Sequence, residues 1–262
     1  MENSQNEKVD GPLIEMIDVS VAPALVHRAV ELKEINWCVK PNDFWTIGGL
    51  HGSGKTDFMA TAAGLQQPAS GVVKNFSHAI SDLNEDELLQ IRLRIGLVFA
   101  GGGRLFNRLT IAENTALPLR YHRNWKEDEA EESIREILEL TDLIPFARQI
   151  PSALSRSWQQ RAALARALVL RPEILLLDSP LLGLDFRHQK WWLDFLKNLS
   201  EGSAFYDGKP VTIVVTTDNF QPWKDLARQF AVLKNNRWQE LGGRAELDES
   251  DESLRELWAE EI

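Results

Sequence analysis

The sequence has only one cysteine, Cys38, among its 262 residues. A lone thiol cannot form an internal disulfide, which excludes a small secreted fold held together by disulfide bridges. We therefore expect a reducing cytoplasm as the environment of the chain. We interpret Cys38 as a small core residue rather than as a reactive thiol.

Long apolar runs are also missing. The stretches "ILLL" (174–177) and "VTIVV" (211–215) have the length of strands, whereas a membrane-spanning helix needs about 20 apolar residues. The first twelve residues, "MENSQNEKVDGP", are polar and lack the apolar segment of a secretory signal. The sequence predicts no membrane span, so any work at a membrane would require a partner that recruits the chain.

Positive charge is in deficit, with 29 Lys and Arg against 39 Asp and Glu and a net charge of −10. Proteins that bind nucleic acids normally present a basic face to the phosphates. The composition therefore argues against DNA or RNA as a direct partner. The five histidines show no spacing typical of metal ligands.

The chain does contain an alternation of strand and helix patterns, which is typical of an α/β fold with a mostly parallel sheet. The apolar run "EILLLD" (173–178) has the pattern of a strand covered on both faces. Two alternating segments, 13–22 and 30–40, read as further strands. The helix pattern "SWQQRAALARALVL" (157–170) follows Ser155, which is placed to cap it.

Between residues 110 and 146 the pattern becomes helical, with apolar side chains at helical spacing. We predict an inserted helical subdomain at 101–155 within an α/β core formed by 13–100 and 156–245. Residues 1–12 would be a tail, and the acidic segment 246–262 is interpreted as a solvated face. The apolar positions of the helical subdomain are Ile134, Ile137, Leu138 and Leu140.

The stretch "GLHGSGKT" (49–56) matches the phosphate-binding pattern GxxxxGK[ST], between a strand ending near Ile47 and a helix from about Gly54. Its glycines let the backbone wrap closely around a β-phosphate, and the helix adds its positive N-terminal end. Lys55 would reach the β- and γ-phosphates, and the Thr56 hydroxyl would bind Mg²⁺. The expected ATP-binding residues are Gly49, Leu50, His51, Gly52, Ser53, Gly54, Lys55 and Thr56.

Asp178 ends the apolar strand "ILLLD", where P-loop ATPases place the aspartate that supports the Mg²⁺ site. We therefore expect Asp178, together with Thr56, to hold the magnesium ion. The alternative is an aspartate with a structural role at the end of a strand.

Together these motifs resemble the nucleotide-binding subunit of ABC transporters over nearly the whole chain. "LSRSWQQRAALARAL" (154–168) is similar to the signature motif and its helix. "PEILLLDSPLLGLD" (172–185) is similar to the Walker B strand and D-loop, and "VVTTDN" (214–219) occupies the place of the switch histidine. The segment 104–122 is most similar to the lipid-trafficking subunits of the Mla/Mce type.

The resemblance implies the P-loop NTPase fold of an ABC ATPase, with an antiparallel β edge beside the parallel sheet. It also implies a subunit at the inner face of the cytoplasmic membrane, bound to an integral membrane permease. Two chains, as a homodimer or a heterodimer, would sandwich two ATP molecules. Ser155 of the signature would then contact the nucleotide on the opposite chain.

The chain departs from the family pattern where hydrolysis is carried out. Ser179 replaces the glutamate that polarises the attacking water, and Thr217 replaces the switch histidine. Ala100 begins the segment where a glutamine is expected. His27 is a poor candidate for the aromatic residue that stacks on adenine. In the signature, three larger side chains, Arg156, Ser157 and Trp158, replace Gly-Gly-Gln.

A serine hydroxyl is too weak a base to replace a carboxylate, and a positioned general base contributes about 10²–10⁴-fold to a rate. We therefore expect ATP binding with very slow or absent hydrolysis. Two functions remain open: a transporter subunit whose groove for the permease lies near Leu105–Thr110, or a nucleotide-dependent regulator or scaffold without transport. A P-loop kinase would leave the signature-like helix without a role.

Overall fold

The computed structural model describes residues 11–23, 31–102, 105–122, 127–247 and 252–258. Strands and helices follow one another as the sequence patterns predict. The strands are β1 Ile14–Val21, β2 Leu32–Val39, β3 Phe44–Gly48, β4 Ser70–Asn75, β5 His78–Ala79, β6 Ile95–Val98, β7 Ile174–Leu177, β8 Thr212–Thr217, β9 Gln229–Lys234 and β10 Arg237–Gly243. The helices are α1 Lys55–Ala62, α2 Glu85–Arg92, α3 Ile111–His122, α4 Glu127–Leu140, α5 Arg156–Leu168 and α6 Phe186–Glu201.

The described strands form a mixed sheet in the order β5-β4-β1-β2-β10-β9-β3-β8-β7-β6. Strands β9, β3, β8, β7 and β6 pair in parallel, and β5, β4, β1 and β2 pair antiparallel at one edge. This confirms the predicted α/β fold with a parallel core and an antiparallel edge. It also places the carboxyl ends of β3, β7 and β8 at one side of the sheet, where α/β proteins bind ligands.

The central strands are buried along their whole length because helices cover both faces of the parallel sheet. On one face, α1 packs its buried Phe58 against Trp37, at 5.1 Å between ring centroids, and stacks it on Trp238 at 5.4 Å. Aromatic pairs at these distances add to the free energy of burial. The aromatic cluster thus fixes α1, and with it the end of the P-loop.

On the opposite face, α5 and α6 pack on the sheet through Leu164, Trp192 and Leu196. These residues are almost completely buried, so the tryptophan-rich segment of α6 contributes to the core. Helices α3 and α4 contact each other and α5 through buried apolar side chains, among them Ile137 and Leu138. The predicted boundaries of a helical subdomain at 101–155 stay a prediction.

Two local expectations need correction. Ser155 is the N-cap residue of α5, but its side chain accepts no capping hydrogen bond. The acidic segment 246–262 is not solvated throughout: Glu256 is exposed as expected, but Leu254 and Leu257 are buried, at 3% and 4% exposure. Their spacing of three residues within a 3-10 helix at 252–257 directs both toward the core. Residues 1–10, 248–251 and 259–262 lie outside the described residues.

Within the described ranges, no helix combines the length and the apolarity needed to cross a bilayer. Cys38 lies on β2 and is half-buried, and burial raises the pKa of its thiol. Both the exposure and the pKa are consistent with a packing role for this residue.

Candidate functional site

The segment that follows β3 forms a tight loop whose backbone requires glycine. Gly52 and Gly54 have φ values of +83° and +89°, a region that residues with a Cβ rarely adopt. At Gly49 a Cβ would collide with the side chain of Ser53. The loop is anchored to β8 by a hydrogen bond from the Gly49 N–H to the carbonyl of Thr217 at 2.9 Å. The result is a backbone cradle that opens at the N-terminus of α1.

Lys55, the first residue of α1, holds its amine across this cradle. The Nζ atom donates to the carbonyl oxygens of Gly49 and Leu50, the latter at 3.0 Å. Burial lowers the pKa of Lys55, and the carboxylates of Asp218 and then Asp178 act in the opposite direction. A phosphate oxygen that enters the cradle would replace these carbonyl oxygens as the hydrogen-bond acceptor of Lys55, because a charged acceptor binds an ammonium group more strongly.

Asp178 follows β7 and is brought to the loop by the parallel pairing of the strands. Thr56 Oγ1 donates to Asp178 Oδ2 at 2.6 Å, and Thr216 Oγ1 donates to Asp178 Oδ1 at 2.8 Å. The carboxylate is buried, with 2% of Asp178 exposed. A hydroxyl and a carboxylate that already face each other are the hard oxygen donors that Mg²⁺ prefers. The two residues therefore fit a magnesium ion bound together with phosphate.

The two substituted positions differ in where their side chains lie. Ser179 lines the same cleft as Lys55 and Asp178, and its backbone N–H donates to Thr216 Oγ1 at 3.0 Å. The side chain of Thr217 is buried and instead contacts Asn219 and Trp223 of the same chain. Its hydroxyl donates to the Asn219 carbonyl at 2.8 Å and accepts from Trp223 Nε1 at 3.2 Å. Thr217 therefore makes no contribution to the lining of the cleft.

The cleft in front of the loop has a volume of about 170 Å³. It brings together most of the residues expected from the sequence, and it adds Asp218, which sequence reasoning missed. Its position just after the strand pattern "VTIVVTT" was the available signal, because α/β proteins bind ligands at the carboxyl ends of parallel strands. The lining residues are His51, Gly52, Ser53, Gly54, Lys55, Thr56, Asp57, Ala100, Asp178, Ser179, Leu182 and Asp218.

Gly49 and Leu50 line a second cavity, of about 290 Å³, on the other side of the loop. His51, Gly52 and Ser53 line both spaces, so this part of the loop is a wall between them. The far wall of the second cavity is formed by the Asn235–Asn236 turn and by Glu256 and Leu257.

The start of α5 does not line the cleft, and Ser155 is exposed there. The exposed Arg156 turns its guanidinium toward its own chain, 2.9 Å from where a Cβ on Gly101 would stand. Trp158 also packs inward, against Phe146 at 4.5 Å and under the guanidinium of Arg161 at 4.5 Å. His27 lies outside the described residues.

Residues 32–182 match a family model described as ABC transporter. The chain is 32% identical over 211 residues to "Methionine import ATP-binding protein MetN 1" of Acinetobacter baylyi, covering 80% of this chain and 57% of the relative. It is 33% identical over 227 residues to "Spermidine/putrescine import ATP-binding protein PotA" of Trichodesmium erythraeum, covering 87% and 56%. The chain thus spans little more than half the length of these relatives.

Solved structures show the same fold. The structure described as a dimeric post-hydrolysis state of the ATP-binding cassette MJ0796 bound to ADP and Pi superposes with a TM-score of 0.75 at 32% identity. That comparison covers 88% of this chain and 99% of the other. CbiO1 of Clostridium perfringens, at 22% identity and a TM-score of 0.76, shares the fold over 94% of each chain.

Proposed function

The chain belongs to the ABC transporter family, and from that premise we propose that it is an ATP-binding subunit that couples nucleotide binding to a membrane permease. The observation that carries the proposal is the cradle itself: the glycine loop, Lys55 and the Thr56–Asp178 pair face one cleft. Backbone N–H groups, an amine and a hard oxygen pair suit a magnesium-bound polyphosphate.

Hydrolysis at this site is proposed to be very slow or absent. Ser179 occupies the position of the catalytic glutamate, and Thr217 occupies the position of the switch histidine. The Thr217 hydroxyl donates to the Asn219 carbonyl and accepts from the Trp223 indole N–H. Loss of a positioned base removes about 10²–10⁴-fold of a rate. ATP bound here would therefore have a long lifetime, and binding rather than turnover would set the state of the subunit.

Two chains are proposed to act together, as a homodimer or a heterodimer. Within one chain, Ser155 does not line the cleft that holds Lys55, so a signature contact with nucleotide needs a second chain. The dimeric state of the MJ0796 cassette supports such an arrangement. Because this chain alters both its own catalytic positions and its signature, pairing with a competent subunit would impair both composite sites.

The partner and the cargo are proposed from resemblance. The relatives are import proteins for methionine and for spermidine or putrescine by their names, so different cargoes occur with similar ATP-binding chains. The similarity of residues 104–122 to Mla/Mce-type subunits favours lipid as the cargo here. Phe106, in the predicted docking segment Leu105–Thr110, is 59% exposed and apolar, which suits contact with a permease helix at the inner membrane face.

The decisive experiment measures Mg·ATP binding by calorimetry and hydrolysis under single-turnover conditions, with Lys55→Ala as the control. We expect the wild-type protein to bind ATP in a magnesium-dependent manner and to hydrolyse it far below the ordinary ~1–100 s⁻¹ of phosphoryl-transfer enzymes. Lys55→Ala should lose ATP binding because the phosphates lose their charged partner. Turnover at ordinary rates, or unchanged binding by Lys55→Ala, would disprove the proposal.

A nucleotide-dependent regulator or scaffold without transport is the alternative function. Purification of the full chain from its native membranes under mild detergent separates the two. Recovery of an integral membrane protein at a fixed stoichiometry supports the transporter subunit. Recovery of the chain from the soluble fraction alone, with ATP-dependent self-association, supports the regulator.

A further inference from the structure

We propose that Asp218 is the catalytic base of whatever ATP hydrolysis this protein performs, accepting the proton of the attacking water in place of the missing glutamate. The inference rests on the proposed function, because it requires ATP at the P-loop. Asp218 belongs to the segment "VVTTDN" but is not among the residues that the sequence predicts to bind ATP or magnesium, and it follows a different strand from Ser179.

The strand register places Asp218 between the P-loop and Ser179. In β3 and β8, Gly48 pairs with Thr217, and the next residue of the loop, Gly49, donates its N–H to the Thr217 carbonyl. In β7 and β8, Leu177 pairs with Val215, and beyond the end of β7 the Ser179 N–H donates to Thr216 Oγ1. Asp218, one residue beyond the end of β8, lines the same cleft as Ser179, the position that carries the carboxylate in the family pattern.

The other acidic and hydroxyl groups of the cleft are less suited to accept a proton. Both oxygens of Asp178 already accept hydrogen bonds, from Thr56 and Thr216, and its carboxylate is buried. The Ser179 hydroxyl is a poor base at neutral pH. Asp57 lies in the first turn of α1 rather than just beyond the ends of β7 and β8, where Ser179 and Asp218 lie.

The shared cleft supports the same assignment. Lys55 and Asp218 both line it. The amine of a P-loop lysine reaches the β- and γ-phosphates, so bound ATP would place its terminal phosphates in the same cleft as the Asp218 carboxylate. A water molecule between Asp218 and the γ-phosphorus would have a charged acceptor for its proton.

The reaction balances with these groups alone. The water oxygen forms a bond to the γ-phosphorus while the bond from that phosphorus to the β,γ-bridging oxygen breaks. The electron pair of the broken bond stays on ADP, where the cation of Lys55 offsets the developing charge. The proton leaves the water for the Asp218 carboxylate, which releases it to solvent after phosphate departs.

The test compares wild type, Asp218→Asn and Asp218→Glu by single-turnover hydrolysis and by the dissociation constant for Mg·ATP. Asp218→Asn should lower the already slow single-turnover rate by about a further 10²-fold, because Asp218 recovers only part of the ~10²–10⁴-fold that a positioned general base contributes. It should bind ATP as tightly as wild type or more tightly, because a negative charge near the phosphates is removed. Asp218→Glu, which keeps a carboxylate, should retain part of the rate.

Glu201→Gln is the matched control, since Glu201 is an exposed carboxylate at the end of α6, distant in the chain from every cleft residue. It should leave both rate and affinity unchanged. A wild-type protein that binds ATP without any single-turnover hydrolysis overturns the role of Asp218 and leaves the proposed function intact. A wild-type protein that fails to bind ATP overturns the proposed function. Asp218→Asn with a wild-type rate also overturns the role.

Discussion

At the scale of single residues, the site is organised around one buried carboxylate. The Asp178 carboxylate accepts hydrogen bonds from the hydroxyls of Thr56 and Thr216. The Thr216 oxygen in turn accepts a hydrogen bond from the Ser179 N–H. A buried charge is tolerated only when its hydrogen bonds are made. Thr216 is therefore a structural support of the proposed magnesium site, although it does not line the cleft.

We predict that Thr216→Val destabilises the protein by about 2 kcal/mol. It leaves the Ser179 N–H without its partner and leaves Asp178 Oδ1 with only the Ser179 hydroxyl, at 3.5 Å, as donor. Urea unfolding measures the change. Thr46→Val is the matched control: Thr46 is equally buried, on β3, and its hydroxyl has no hydrogen-bond partner among the described residues. Equal effects of the two substitutions would contradict this account of Thr216.

At the scale of elements, the helices near the site are capped in different ways. Helix α2 begins with a capping box, in which the Asn84 side chain accepts from the Glu87 N–H and the Glu87 side chain accepts from the Asn84 N–H. Asp185 caps α6 by accepting from Arg187 and His188 N–H groups. The first turn of α5, by contrast, keeps its N–H groups without help from the Ser155 side chain.

We predict that Asn84→Ala lowers the free energy of unfolding by about 1 kcal/mol, the usual contribution of an N-cap side chain. Ser155→Ala should change it by only a few tenths of that amount, because the serine hydroxyl makes no capping bond. Thermal and urea unfolding of the two variants in parallel provide the comparison. A loss for Ser155→Ala as large as that for Asn84→Ala would show that Ser155 caps α5 in solution.

At the scale of the whole molecule, the start of the P-loop is in contact with the 3-10 helix at 252–257. The P-loop leaves β3 at Gly48, and the C-terminal 3-10 helix packs Leu257 against that same glycine. The Leu257 carbonyl accepts from the Phe220 N–H at 2.8 Å, and Trp258 packs on the Phe220 ring at 5.5 Å between centroids. A segment near the end of the sequence therefore supports the loop that opens the site.

We predict that Leu257→Ala destabilises the protein by about 2–3 kcal/mol, since it opens a cavity beside the P-loop. It should also weaken ATP binding, because the cavity borders the wall formed by the loop. The control is Leu65→Ala, which removes an equal side chain that is 50% exposed and should cost much less. Unfolding and calorimetric titration measure both effects. If Leu257→Ala behaves like Leu65→Ala, the C-terminal segment does not support the loop.

The sequence by itself determined the fold class, the P-loop and the strand that carries Asp178, because these depend on local patterns: glycines where the backbone needs positive φ, and periodicity where a strand or helix is buried. The sequence did not predict that Asp218 lines the cleft or that Leu257 is buried beside Gly48. It also did not predict that the side chains of Thr217 and Trp158 pack against residues of the same chain. Those outcomes depend on the register of β3, β7 and β8 and on packing between segments far apart in the chain. Only the tertiary structure decides such contacts, since no local pattern encodes which distant side chains will meet.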